Sequence, residues 1–161
     1  MSNYQHIEVR QMAGAIGAEI SGIDLMQAAS DQVIAEIRQA WLAHGVVFFR
    51  DQPLPPAVFL ALARRFGEVV EYPFVKGLDG FPQVIEVKKL EHERNNFGGI
   101  WHSDTTYLAQ PPMGSMLYAQ LLPPFGGDTL FANQYQAYDE LSDVMKRLLD
   151  GLKGISSSAK A

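Results

Sequence analysis

His102 and Asp104, in the stretch GGIWHSDTTY (residues 98–107), are the pair with the clearest chemistry in this chain. On an extended strand, residues two apart project to the same side, so the imidazole and the carboxylate would face one point while Ser103 faces away. A neutral imidazole nitrogen with a carboxylate oxygen begins a two-His, one-carboxylate set of ligands. That set suits non-haem Fe(II), because it leaves coordination positions open for a co-substrate and O₂. Taken alone, His-x-Asp also fits a surface pair at a strand end.

The remaining donors must come from the rest of the composition. The chain has four histidines and no cysteine, so a metal would rest on His and carboxylate. His44 ends a predicted helix, where a partial positive charge is favoured; His6 lies near the terminus; His92 stands beside Glu93 and Arg94 in a charged loop. None has a spacing that argues for ligation, so a third ligand is expected outside these 161 residues.

Hydrophobic residues make up 47% and charged residues 19%, the balance of a globular domain, and 161 residues suffice for one domain with its own core. A net charge of −5 lacks the basic surplus that phosphate binding needs, which excludes nucleic acid as a partner. No apolar run approaches the roughly 20 residues that span a bilayer, and MSNYQHIEVRQMAG has no signal-peptide core. The expectation is a soluble, cytoplasmic protein that handles a small molecule.

The elements that would position the pair can be read from periodicity. HIEVRQM alternates as a strand, and GAIGAEISGIDL carries glycines that suggest bends. Ser30 caps a helix with Val33, Ile34, Ile37, Ala40, Trp41 and His44 at helical spacing, closed by Gly45. VVFFR (46–50) reads as a buried strand. A second helix starts at Pro55 and Pro56 and stops at Gly67. Strands are predicted over 81–90, 113–122 and 129–133, with a loop over 90–99. Gln134 to Leu149 reads as one amphipathic helix, and Trp101 as a core aromatic.

The chain resembles the Fe(II)/2-oxoglutarate-dependent dioxygenases of the taurine dioxygenase and 2,4-D dioxygenase (TauD/TfdA) type. HGVVFFRDQPL with LARRFGEV, WHSDTTYLAQPP, GGDTLFAN and AYDELSDVMKRLLDGL carry the resemblance, in the family's order and spacing. It implies a mainly β fold with flanking helices, a double-stranded β-helix or jelly roll. Here that fold is expected to be incomplete, because residues 1–161 match only the N-terminal portion of the single dioxygenase domain. It also implies His102 and Asp104 as iron ligands and Thr129 of GGDT as a contact to 2-oxoglutarate, although turn chemistry explains GGDT equally well.

Asn95, in the loop entering the site, and Tyr72 are candidate substrate contacts; a solvated loop accounts for Asn95 as well. VEYPFV around Tyr72 does not reproduce the histidine-bearing pattern of taurine-specific members, which puts taurine in doubt and leaves the substrate open; the resemblance implies a small, anionic molecule. The family's second histidine and its 2-oxoglutarate arginine have no counterpart, since His102 is the last histidine and Arg147 sits on the predicted C-terminal helix. The full protein would hydroxylate its substrate with release of succinate and CO₂. A catalytically inactive binding or dimerisation module is the alternative, and a cupin-like metal binder ranks third. Half a jelly roll leaves strand edges that a homo-oligomer would cover.

Overall fold

The structure is a computed structural model and describes residues 4–94 and 99–158. The chain falls into two compact units, Met1–Leu54 with Ala119–Leu152, and Pro55–Tyr118 with Lys153–Ala161.

The first unit contains β1 (Glu8–Gln11), β2 (Ala18–Ser21), α1 (Asp31–His44) and β3 (Val47–Phe49). β2 is central, antiparallel to β1 and parallel to β3. The glycine-rich stretch thus holds a strand as well as bends. Gly17 (φ 103°) and Gly22 (φ 81°) turn the chain at either end of β2, in a region that side chains with a Cβ rarely adopt.

Arg10 and Glu19 stand opposite one another in the β1–β2 register. Glu19 accepts from Arg10 Nη2 and from Arg50 Nε, each at 3.2 Å. Arg50 first, and then Arg10, holds its carboxyl below the usual range.

Helix α1 forms where periodicity predicts it. Ser30 Oγ accepts from Val33 N at 3.2 Å. At the other end Gly45 (φ 72°) donates its N–H to Trp41 O at 2.7 Å, and a Cβ there would meet Ile16 Cδ1 at 3.0 Å. Ile34, Ile37 and Ala40 form the buried stripe, and α1 lies against β2 and β3. With Ile7, Ala18, Ile20, Leu25 and Leu54 they make up the core of this unit. The predicted C-terminal helix is two helices, α3 (Gln134–Asp139) and α4 (Asp143–Leu149). The break comes at Ser142, whose Oγ accepts from Met145 N at 3.3 Å; a serine that can cap starts a helix better than it continues one.

The second unit is built around α2 (Pro56–Arg64), which buries Leu60. It ends short of Gly67, in tight turns that carry Arg65 N to Leu62 O and Phe66 N to Ala63 O. Gly77 lets the backbone of Pro82 close in, where a Cβ would stand 2.2 Å from Pro82 O. This turn, with Leu78 N donating to Val84 O at 2.8 Å, occupies the start of the strand predicted over 81–90.

None of the three strands predicted over 81–90, 113–122 and 129–133 forms. A strand is stabilised by the ladder and the side chains across from it, and among the described residues these segments have no ladder partner. Helix therefore outweighs strand, and the architecture is a small mixed sheet with helices. Leu117, Leu121 (93% exposed), Leu122, Phe125 and Leu130 project into solvent along the same stretch. No helix of the described residues is long and apolar enough to cross a membrane.

Two outcomes test this account. Ile37→Ala, which empties a site 2% exposed, should lower stability by ~2–5 kcal/mol in urea unfolding; a loss well under 1 kcal/mol would contradict the core assigned to α1.

The second concerns Glu36. Burial pushes its carboxyl up, but His6 Nδ1 and the N–H groups of Gln5 and His6, each at 2.9 Å, outweigh burial and hold it at about 2 instead of 4.5. A depressed acid contributes stability above its unfolded pKa and loses it as pH falls through the folded one. Glu36→Gln should therefore lower stability near neutrality and flatten the acid limb between pH 4.5 and about 2 in a melting-temperature series. An unchanged limb would show that the clamp does not hold in solution.

Candidate metal centre

The second unit carries the pair. Residues 101–103 belong to no helix or strand, and a turn begins at Asp104, with Leu108 N donating to Thr105 O at 3.0 Å. His102 and Asp104 are therefore not two positions on a strand, as the spacing predicts. Thr105 has φ 51°, the left-handed region that a β-branched residue seldom occupies. That twist turns the chain directly after Asp104.

The two side chains nevertheless converge. His102 Nε2 lies 3.1 Å from Asp104 Oδ1. On the far side of the ring, His102 Nδ1 lies 2.7 Å from Ile100 O. A carbonyl only accepts, so Nδ1 carries the hydrogen, and in the neutral ring Nε2 presents its lone pair to the carboxylate. Two acceptors at 3.1 Å call for a cation between them, a proton or a metal ion. Nitrogen and oxygen donors about 2.1 Å from a first-row divalent metal and at right angles to each other would lie roughly 3.0 Å apart. The donor set fits such an ion. Among the described residues, no group of three His, Cys, Asp or Glu side chains could hold one.

Asp104 is fixed a second time. Ser115 Oγ donates to its other oxygen, Oδ2, at 2.5 Å. Both His102 and Asp104 remain open to solvent, with side chains 48% and 57% exposed.

Tyr72 stacks edge-on against Phe74 at 5.6 Å, and Phe74 meets Tyr107 at 6.0 Å. Tyr72 is thereby joined to the turn that holds Asp104. The Tyr107 hydroxyl is closed off from water without a bonded partner. Burial first, then the nearby Tyr72 hydroxyl and the Asp104 charge, push the Tyr107 phenol above its ordinary 10.0. Tyr72 and Phe74, with Lys76, Asp79 and Pro82, also line an open cleft of about 610 Å³.

Thr129 belongs to the other unit, exposed after Gly126 (φ 77°) and Gly127 (φ 72°), which adopt the left-handed backbone that glycine favours. Asn95 lies outside the described residues. Trp101, read as core, is 69% exposed, because the segment that carries it has no neighbouring strand to cover the ring. Sequence reasoning passed over Ser115 and Phe74. Ser115 stands 11 residues from Asp104, and no spacing rule brings a loop serine onto a carboxylate.

Comparison with known proteins bears on the same residues. A taurine dioxygenase from Burkholderia xenovorans superposes with a TM-score of 0.83 at 35% identity, over 93% of this chain and 53% of that one. An alkylsulfatase of Acinetobacter baylyi is 34% identical over 96% of this chain and 48% of its own length. An alpha-ketoglutarate-dependent sulfate ester dioxygenase of Pseudomonas putida is 33% identical over 94% of this chain and 50% of its own. The chain spans about half the length of the curated relatives it matches. The profile of the taurine catabolism dioxygenase TauD, TfdA family matches residues 8–160, and the chain belongs to that family.

Proposed function

We propose that this chain carries two iron ligands, His102 and Asp104, of an Fe(II)/2-oxoglutarate-dependent dioxygenase. The observation that carries the reading is the convergence of Nε2 and Oδ1 at 3.1 Å within a family of such enzymes. Bound there, iron would supply open coordination positions for 2-oxoglutarate and O₂. The balance of the reaction is one 2-oxoglutarate, one O₂ and one substrate C–H consumed, with succinate, CO₂ and the hydroxylated substrate formed. His102 and Asp104 hold the centre, and Ile100 O fixes the ring so that Nε2 faces it. Thr129 would contact a carboxylate of 2-oxoglutarate, and Tyr72 the substrate.

The third ligand and the arginine for 2-oxoglutarate are assigned to the part of the relatives' length that this chain does not span. The exposed apolar residues between Leu117 and Leu130 are what a jelly roll would cover with further strands, which supports the same architecture. The relatives' names, alkylsulfatase and sulfate ester dioxygenase, support a small anionic substrate, with alkyl sulfate esters first to be tried. The cytoplasm, read from the sequence, is the compartment of this proposal.

The protein produced from its complete coding sequence, given Fe(II), 2-oxoglutarate, O₂ and an alkyl sulfate, should form succinate in step with aldehyde and sulfate release. His102→Ala and Asp104→Ala should each reduce succinate to the level seen without iron. Succinate formation that survives both substitutions would sink the assignment.

A further inference from the structure

We infer that Ser115 is a positioning residue for the metal centre, acting through Asp104. The inference rests on His102 and Asp104 being the ligands. The carboxylate of Asp104 has two oxygens with different partners: Oδ1 faces His102 Nε2 at 3.1 Å, and Oδ2 accepts the Ser115 hydroxyl at 2.5 Å. The terminal torsion of an aspartate is soft, so an untethered carboxylate swings and can offer either oxygen or both. A short hydrogen bond from a hydroxyl to a charged oxygen is among the stronger ones a protein makes. It occupies Oδ2 and leaves Oδ1 as the one oxygen turned to the imidazole. The ion would then meet Asp104 through a single oxygen, which keeps an additional coordination position free for other ligands.

The placement of Ser115 is built by its own segment. Met113 Cε lies 3.4 Å from the position a Cβ would take on Gly67, just after α2. Tyr118 packs its ring on Phe59 of α2 at 6.1 Å. Ser115 lies between these two anchors, one on α2 and one on the residues just after it, so the hydroxyl is delivered to Asp104 rather than left to a free loop. The imidazole is held in the same manner by Ile100 O. Each of the two donors is thus oriented by a partner that touches no metal, as outer-shell groups do.

The test uses cobalt(II) as an anaerobic spectroscopic stand-in for iron, titrated into the protein made from its complete coding sequence, with wild type, Asp104→Ala, Ser115→Ala, Ser115→Thr and Ser115→Val compared. Wild type should give visible d–d bands that Asp104→Ala abolishes. Ser115→Ala should bind about tenfold more weakly, the low end for loss of an outer-shell partner, because both residues face solvent. Its bands should also shift. Thr and Val have nearly the same shape and differ in the hydroxyl, so Ser115→Thr should keep wild-type affinity and Ser115→Val should lose it as Ala does. That contrast isolates the hydrogen bond from packing, and thermal melts of the metal-free proteins should overlay. Wild-type affinity and bands in both Ala and Val variants, or a Thr variant as weak as Val, would overturn the role of Ser115. No cobalt bands in wild type would overturn the ligand assignment itself and this inference with it.

Discussion

Everything ordered in the first unit depends on the central strand β2. Ala18 and Ile20 on it are 0% and 3% exposed, hydrogen-bonded on both edges and covered by α1. Three short strands make a weak sheet alone, and a two-stranded hairpin is marginal in water. The buried stripe of α1 supplies the apolar area that three strands lack. Its capping at Ser30 and Gly45 sets where the helix begins and ends, and the chain leaves Gly45 directly into β3 alongside β2. The Glu19 ion pairs tie β2 to Arg10 of β1 and to Arg50, the residue after β3; being exposed, they add register more than stability.

The second unit is held differently. It buries Leu60 and carries the candidate metal pair at its surface, where hydrogen bonds and backbone conformation take the place of core packing. Ile100 O, Ser115 and the left-handed Thr105 together hold two donors at 3.1 Å without enclosing them. Preorganisation of this kind matters for a metal centre, since ligands that must be gathered on binding cost affinity. The stacked rings of Tyr72, Phe74 and Tyr107 connect the turn at Asp104 to the cleft lined by Tyr72 and Lys76. Neither His102 nor Asp104 lines that cleft; the ring contact of Phe74 with Tyr107 is what links its wall to their turn.

Helix α1, strands β1 and β3 and the start of α2 were legible because each is set by neighbours in sequence: a capping serine, a terminal glycine, a proline in the first turn, alternation over a few residues. The three strands expected over 81–90, 113–122 and 129–133 had good composition but no ladder, and composition cannot supply a partner. The single helix expected from Gln134 broke at Ser142 because a local side-chain bond competes with helix continuation, a contest periodicity does not weigh. Trp101 fell to solvent for the same want of a covering strand.

What the sequence determined by itself is the family and the kinds of donor the chain can offer. His102 and Asp104 are two residues apart in any conformation, the absence of cysteine restricts the donors, and the ordered motifs place the chain in its family. Tertiary structure alone decided how the pair comes together. A turn with a left-handed threonine, not a strand, brings Nε2 to Oδ1, and a serine 11 residues away holds the other oxygen. Ligand type is a property of a side chain and can be read in one dimension. The orientation of a carboxylate depends on what donates to its second oxygen, and that partner is chosen only when distant segments fold against each other.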